Sequence, residues 1–109
     1  RRKVQALVFV GDAMEEPIDV LCQAAGELGL LGVPVFMFQE GADAVAENAY
    51  REIARLSRGA YCRFDAGSAH QLAELLRAVA AYAAGGIKAL ADLSKKRSAG
   101  AQQLLAQLK

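Results

Sequence analysis

The sequence has few of the residues that usually mark a catalytic centre or a disulfide-bonded scaffold. Its 109 residues include no tryptophan, a single histidine and two cysteines. His70 has no serine in a GxSxG setting to act with, so the sequence predicts no Ser-His-Asp triad. Cys22 and Cys62 are too far apart for a CxxC pair and are expected to be buried, reduced thiols. We therefore expect a non-enzymatic protein.

Long apolar runs and a strong net charge are also missing. The longest apolar stretch, residues 28–38, is interrupted by glycine and proline and is far shorter than the ~20 residues of a spanning helix. The formal net charge is +1, and the Lys95-Lys96-Arg97 patch has no aromatic residues between its charges. The sequence thus predicts neither a membrane nor a nucleic-acid partner, and reduced thiols favour a cytoplasmic location.

Three runs rich in β-branched and aromatic residues alternate with helical patterns. The runs are Val4–Val10, Val33–Phe38 and Ala60–Phe64. Apolar residues recur at spacings of three and four after each run, over residues 18–28, 46–56 and 72–83. The order β-α-β-α-β-α predicts parallel strands joined by right-handed crossovers. We expect residues 1–86 to form an α/β fold, a three-layer αβα sandwich of the Rossmann-like class.

Helix boundaries follow from proline, glycine and capping residues. Glu16-Pro17 is expected to start the first helix, and Arg58-Gly59 to end the second. Ser68 and Gln71 have the spacing of a capping box at the start of the third helix. Gly85-Gly86 interrupts that helix, and residues 87–109 form an amphipathic helical tail with a second break at residues 98–100. This tail is expected to cover an open sheet face, and a partner or a membrane surface are the alternatives.

The first strand is apolar on both faces, which is typical of a central strand covered on both sides. Three strands make a small sheet, since most sheets have ~5–6. An exposed edge on such a strand invites pairing with another chain. We therefore expect either a part of a larger domain or a homo-oligomer, formed through the exposed sheet edge or through the tail helix.

Polar side chains follow each predicted strand. They are Asp12, Glu15 and Glu16 after the first strand, Glu40 and Asp43 after the second, and Asp65 and Ser68 after the third. Parallel strands bring these positions to one edge, where open α/β folds bind ligands. Oxygen ligands without histidine or cysteine favour Mg²⁺, Mn²⁺ or Ca²⁺. Glu16, Asp43 and Asp65 also stand at helix starts, where capping is favoured over metal binding, so Asp12 is the best-placed ligand.

Several segments resemble the second half of a von Willebrand factor type A domain. They are residues 8–16, 32–38, 53–65 and the helix from Ser68 to Leu76. The resemblance implies a six-stranded, mostly parallel sheet that binds a protein partner through a metal-ion-dependent adhesion site. Asp12 would accept a hydrogen bond from a metal-bound water there. The family's Asp-x-Ser-x-Ser loop has no counterpart here, so the resemblance implies that the N-terminal strands are lacking. Mg²⁺, Mn²⁺ or Ca²⁺ would then bind tightly only in a full-length protein.

A second resemblance comes from a different class of protein. Residues 11–16, Gly-Asp-Ala-Met-Glu-Glu, are similar to the Mg²⁺-binding loop of haloacid-dehalogenase-type phosphatases. The Asp-x-Asp nucleophile and the lysine of that family are absent. A third alternative is a homodimerising assembly module without metal. The sequence favours a protein-binding or assembly module, whose partner it does not identify.

Overall fold

The three predicted strands form one parallel sheet in a computed structural model, which describes residues 5–14 and 17–108. Strands β1 (Leu7–Gly11), β2 (Val35–Glu40) and β3 (Ala60–Phe64) lie side by side in the order β1-β2-β3. The helices are α1 (Ile18–Leu30), α2 (Ala44–Ser57), α3 (Ala69–Lys95) and α4 (Ala99–Leu108). Both strand pairs are parallel, which confirms the predicted α/β, Rossmann-like fold class.

Alternate residues of the sheet enter two separate cores. The core beneath α1 and α2 contains Val35, Met37 and Tyr61 from the strands, with Ala25 and five residues of α2. The opposite core contains Phe36, Phe38, Ala60, Cys62 and Phe64, covered by residues of α3 and α4. Because side chains alternate along a strand, a run of apolar residues supplies both faces. The chain therefore has three layers, with β2 buried at the centre.

The turn from α2 into β3 brings two backbones very close together. Arg58 adopts the left-handed conformation at φ 62° and ends α2, as predicted. The Ser57 hydroxyl accepts a hydrogen bond from the Val35 amide at 2.9 Å and donates one to the Ala54 carbonyl at 3.2 Å. A Cβ atom at Gly59 would lie 2.0 Å from the Val35 carbonyl oxygen. Only glycine lets the start of β3 approach β2 this closely.

The tail covers a face of the sheet, as expected. Gly86 is non-helical (φ 73°, ψ −159°), so α3 is kinked where the double glycine predicts an interruption. Residues 96–98 separate α3 from α4, slightly before the predicted break at residues 98–100. The Ser98 hydroxyl accepts a hydrogen bond from the Ala101 amide at 3.2 Å. Leu90 and Leu104 are completely buried in the core that includes β3. The apolar stripe of the tail thus packs against the chain's own core.

Several predicted boundaries or faces differ from the structure. Strand β1 spans Leu7–Gly11, whereas the sequence predicted a strand over residues 4–10. Strand β2 begins at Val35, after Pro34, which has no amide proton to donate to the ladder. Pro17 precedes α1 as its N-cap residue instead of occupying the first helical position. In the expected α1 stripe only Ala25 is fully buried, and Ile18 is exposed. Val4 and Lys109, at the ends of predicted elements, lie outside the described residues.

We expect Gly59→Ala to lower the free energy of unfolding by at least about 2 kcal/mol, because the added methyl group overlaps the Val35 carbonyl. Gly26→Ala, in the middle of α1, is the matched control. A Cβ atom there meets nothing within 4 Å, so alanine should raise stability by roughly 0.5–1 kcal/mol. Urea unfolding of both variants measures this difference. A Gly59→Ala midpoint equal to that of the wild type would contradict the close approach of the two backbones.

Candidate functional site

The predicted polar residues that the structure describes lie along one edge of the sheet. Gly11 lies opposite Gln39, and Glu40 opposite Phe64, so the three strands end close to one another. Asp12, Glu40, Asp65 and Ser68 follow or end these strands at this carboxyl edge. Glu15 and Glu16 lie outside the described residues.

Glu40, Asp65 and Ser68 shape the loop between β3 and α3. The Glu40 carboxylate accepts a hydrogen bond from the Gly67 amide at 2.7 Å, which ties the end of β2 to this loop. The Ser68 hydroxyl caps α3 by accepting a hydrogen bond from the Gln71 amide at 3.3 Å. The Gln71 side chain turns to Asp65, accepting from its amide at 2.6 Å and donating to its carboxylate at 3.1 Å. The predicted capping box is therefore only half formed, because Gln71 serves Asp65 instead of the Ser68 amide.

Two other polar residues at this edge also have structural roles. Asp43 caps α2 by accepting a hydrogen bond from the Ala46 amide at 3.0 Å, which confirms capping for this acid. Gln39 is the completely buried fifth residue of β2. Its side-chain oxygen accepts a hydrogen bond from the Tyr61 hydroxyl at 2.5 Å, and its amide donates to the Asp43 carbonyl at 2.9 Å. Sequence reasoning missed this pair, since a polar residue at the end of an apolar run resembles the start of a loop.

The described acids do not fit a metal centre. No three histidine, cysteine, aspartate or glutamate side chains are grouped for metal binding within residues 5–14 and 17–108. Glu40, Asp43 and Asp65 already accept hydrogen bonds from amide groups. Mg²⁺ requires near-octahedral oxygen ligands, which these engaged carboxylates do not supply together. The role of Asp12 beside a metal-bound water stays a prediction.

The outer side of β1 is the most exposed apolar part of the sheet. The four residues Leu7, Val8, Phe9 and Val10 are 39–50% exposed, although they belong to a strand. A parallel strand with apolar residues on both faces is normally covered on both sides. In the described chain β1 is an edge strand, which confirms the predicted exposed edge, while the expected covering of both its faces is not met.

The backbone of β1 is paired on one side only. The Leu7 amide donates a hydrogen bond to the Pro34 carbonyl at 3.0 Å, so the amides of Leu7 and Phe9 face β2. Backbone groups alternate in direction along a strand, so those of Ala6, Val8 and Val10 face outward. Nothing among the described residues pairs with this outer edge.

The opposite edge of the sheet is capped by α4. The Gln107 side chain accepts a hydrogen bond from the Tyr61 amide and donates one to the Tyr61 carbonyl, both at 2.8 Å. The side chain therefore takes the place of a neighbouring strand on β3. Sequence reasoning missed this role because nothing in the tail pattern distinguishes Gln107 from other polar residues of an amphipathic helix. Within the described residues, the β3 edge of the sheet is therefore capped at Tyr61, and the β1 edge is open.

A groove of about 560 Å³ lies between β1 and α1. Apart from Tyr50, its lining is apolar and includes Leu7, Phe9, Leu21 and Leu28. Helix α1 packs on α2, because Gly29 brings its backbone against the Leu56 carbonyl. This packing keeps α1 away from β1, so that the groove stays open.

Tyr50 fixes the position of β1 beside this groove. Its hydroxyl donates a hydrogen bond to the Ala13 carbonyl at 2.8 Å, which ties the loop after β1 to α2. The Phe9 ring packs edge-to-face on the Tyr50 ring, with the ring centroids 5.4 Å apart. Such a pair contributes about 0.5–1.5 kcal/mol beyond area burial. The exposed strand is therefore held in a defined place.

Both cysteine thiols have a raised pKa, and the single histidine is exposed. Cys62 is buried as predicted, and burial raises the pKa of its thiol to about 12. Cys22 is only half-buried, contrary to expectation, because α1 is partly open to solvent. Burial and the nearby Glu52 raise the pKa of the Cys22 thiol. His70 is exposed in the first turn of α3. Thiols with a raised pKa are poor nucleophiles at neutral pH.

We expect the stabilising contribution of the Cys62 thiol to be lost at high pH. An unfolded cysteine ionises near pH 8.5, whereas the folded Cys62 holds its proton up to a pKa of about 12. The contribution is therefore complete below about pH 8.5 and falls as pH rises towards 12. The difference in free energy of unfolding between wild type and Cys62→Ala should narrow over this range. A constant difference would contradict this, and Cys22→Ala serves as the more exposed control.

We expect proline to be tolerated at Val8 and not at Phe9. Val8→Pro removes an amide that faces away from β2 and should cost less than about 1 kcal/mol. Phe9→Pro removes an amide that faces β2 and the ring that packs on Tyr50, and should cost about 3 kcal/mol or more. Urea unfolding compares the two variants. Equal losses of stability would show that the outward direction assigned to the Val8 amide is wrong.

None of the described helices is long and apolar enough to cross a membrane. Comparison with known proteins adds no relative: no family model, no curated protein and no solved structure matches the chain. The resemblance to a von Willebrand factor type A domain therefore stays a prediction, while the α/β fold class is shown by the chain's own strand order.

Proposed function

We propose that this chain is a non-enzymatic protein-binding module that binds its partner by adding a β-strand to β1. The observation that carries the proposal is the contrast between the two edges of the sheet. The Gln107 side chain binds the amide and carbonyl of Tyr61 on the β3 edge. No described residue pairs with the outer side of β1, where four successive apolar residues are 39–50% exposed.

An added strand would pair with the outward backbone amides and carbonyls of β1. An edge strand offers unpaired backbone amides and carbonyls, and an added strand satisfies them with main-chain hydrogen bonds. Soluble proteins usually protect such an edge with charged residues, proline or a bulge. Residues 5–11, Gln-Ala-Leu-Val-Phe-Val-Gly, contain none of the charged residues or prolines that would discourage pairing.

The groove beside β1 would supply specificity. Its lining is predominantly apolar and includes Leu7 and Phe9. Side chains of an added strand that point to the α1 face would contact this lining, since alternate residues share a face. Main-chain hydrogen bonds would then provide affinity, and apolar side chains at alternate positions would select the partner. The resemblance to a family of protein-binding domains agrees with this proposal.

Selection of short random peptides on a phage tests the proposal, with the chain immobilised at a density too low for copies to meet. We expect the enriched peptides to have β-branched or aromatic residues at every second position, as a strand with one apolar face does. They should bind wild type and Val8→Thr equally, because threonine keeps the outward amide. Val8→Pro lacks that amide and should bind at least about tenfold more weakly.

Two results would contradict strand addition to β1. One is the absence of any enriched peptide. The other is equal binding of the selected peptides to Val8→Pro and to Val8→Thr, which would place the binding surface elsewhere on the chain. Urea unfolding of Val8→Pro provides the control that the variant is folded.

A further inference from the structure

We infer that the strand added to β1 in solution is β1 of a second copy, in antiparallel orientation, about a two-fold axis at Val8. Two three-stranded sheets would then join into one sheet of six strands. This inference rests on the proposed strand addition and names its partner.

Apolar exposure on both faces of β1 favours a folded partner over a lone strand. Phe9 packs towards Tyr50 on the α1 and α2 face, while Val8 and Val10 lie in register with Phe36 and Phe38, which belong to the opposite core. A single added strand would satisfy the backbone and leave both faces exposed. A second copy brings the same apolar side chains, Leu7 and Phe9 on one face and Val8 and Val10 on the other, so apolar contacts would form across the axis on both faces.

The outer edge of β1 is self-complementary in one register. The outward backbone groups belong to Ala6, Val8 and Val10. With the axis at Val8, Ala6 lies opposite the partner's Val10, and Val8 opposite the partner's Val8. Each such pair in an antiparallel ladder exchanges two hydrogen bonds. All the outward groups of residues 6–10 are then paired at once.

The side chains of β1 suit pairing with an identical strand. A two-fold axis brings each residue near its own copy, so a charged residue close to the axis would meet a like charge. Residues 5–11 carry no charge. On the α1 face, the register sets Leu7 beside the partner's Phe9, at the mouth of the groove between β1 and α1. Antiparallel neighbours at such positions come into direct contact.

The other edge of the sheet limits the assembly to two copies. Gln107 occupies the amide and carbonyl of Tyr61 on β3, and α4 packs beside that strand. Pairing through β1 alone uses the same surface on both copies and closes after one contact. The stripe of the tail is buried within its own chain, with Leu90 and Leu104 wholly inaccessible, so it does not offer a second interface.

Sedimentation equilibrium over a range of concentrations gives the first test. We expect a mass twice the 11.5 kDa of one copy for wild type and for Val8→Thr. Val8→Pro should stay at the mass of one copy, because proline blocks the central pair. A wild type that sediments as a single copy at every concentration would overturn the dimer. A dimer that survives Val8→Pro would overturn β1 as its interface.

Disulfide cross-linking tests the register. Val8→Cys places two thiols on residues about 5.5 Å apart between Cα atoms, within reach of a disulfide. In the same register, two copies of Val10→Cys are separated by about 13 Å along the strands and should not link. Mixing Ala6→Cys with Val10→Cys should restore a link, while neither links alone. All variants carry Cys22→Ser, since Cys22 is half-buried and Cys62 is buried.

The outcomes separate this inference from the proposed function. A single-copy wild type that still selects strand-like peptides sensitive to Val8→Pro would mean strand addition from a different protein. A dimer that links through Val10→Cys alone would mean another register. Linking of Val8→Cys together with loss of the dimer in Val8→Pro supports the two-fold pairing of β1.

Discussion

Every backbone amide and carbonyl removed from water needs a partner, and this requirement governs the whole sheet. Strand β2 meets it on both sides, through β1 and β3. Strand β3 meets it on its outer side at Tyr61, whose amide and carbonyl bind the Gln107 side chain. Strand β1 meets it only towards β2. Because its side chains are also apolar on both faces, β1 is the one described strand that is incomplete in its backbone and in its packing.

The packing of α1 on α2 explains why a groove forms beside the exposed strand β1. Gly29 allows α1 to lie against the Leu56 carbonyl of α2, so α1 leans on its neighbouring helix and leaves a groove above β1. Tyr50 holds the loop after β1 through the Ala13 carbonyl. An exposed strand in a fixed position loses little further conformational freedom on binding, which favours association.

The carboxyl edge shows how one set of residues supports two interpretations. Acids that follow parallel strands converge at one edge whether or not they bind a ligand. Here Asp43 caps a helix, while Glu40 and Asp65 bind amides that shape one loop. Residue type and spacing are the same for a ligand set and for a set of caps. The two sets differ only in whether each side chain points to a shared site or to a backbone amide.

Local patterns in the sequence determined the elements, because apolar spacing and the glycines act over a few residues. Strand β3, the left-handed end of α2 at Arg58 and the kink at Gly86 all follow from such signals. Tertiary structure alone decided that β1 is an edge strand and that Gln107 caps β3. An apolar run has the same pattern whether another element covers it or not. Coverage depends on contacts between residues distant in the chain, which no short pattern records.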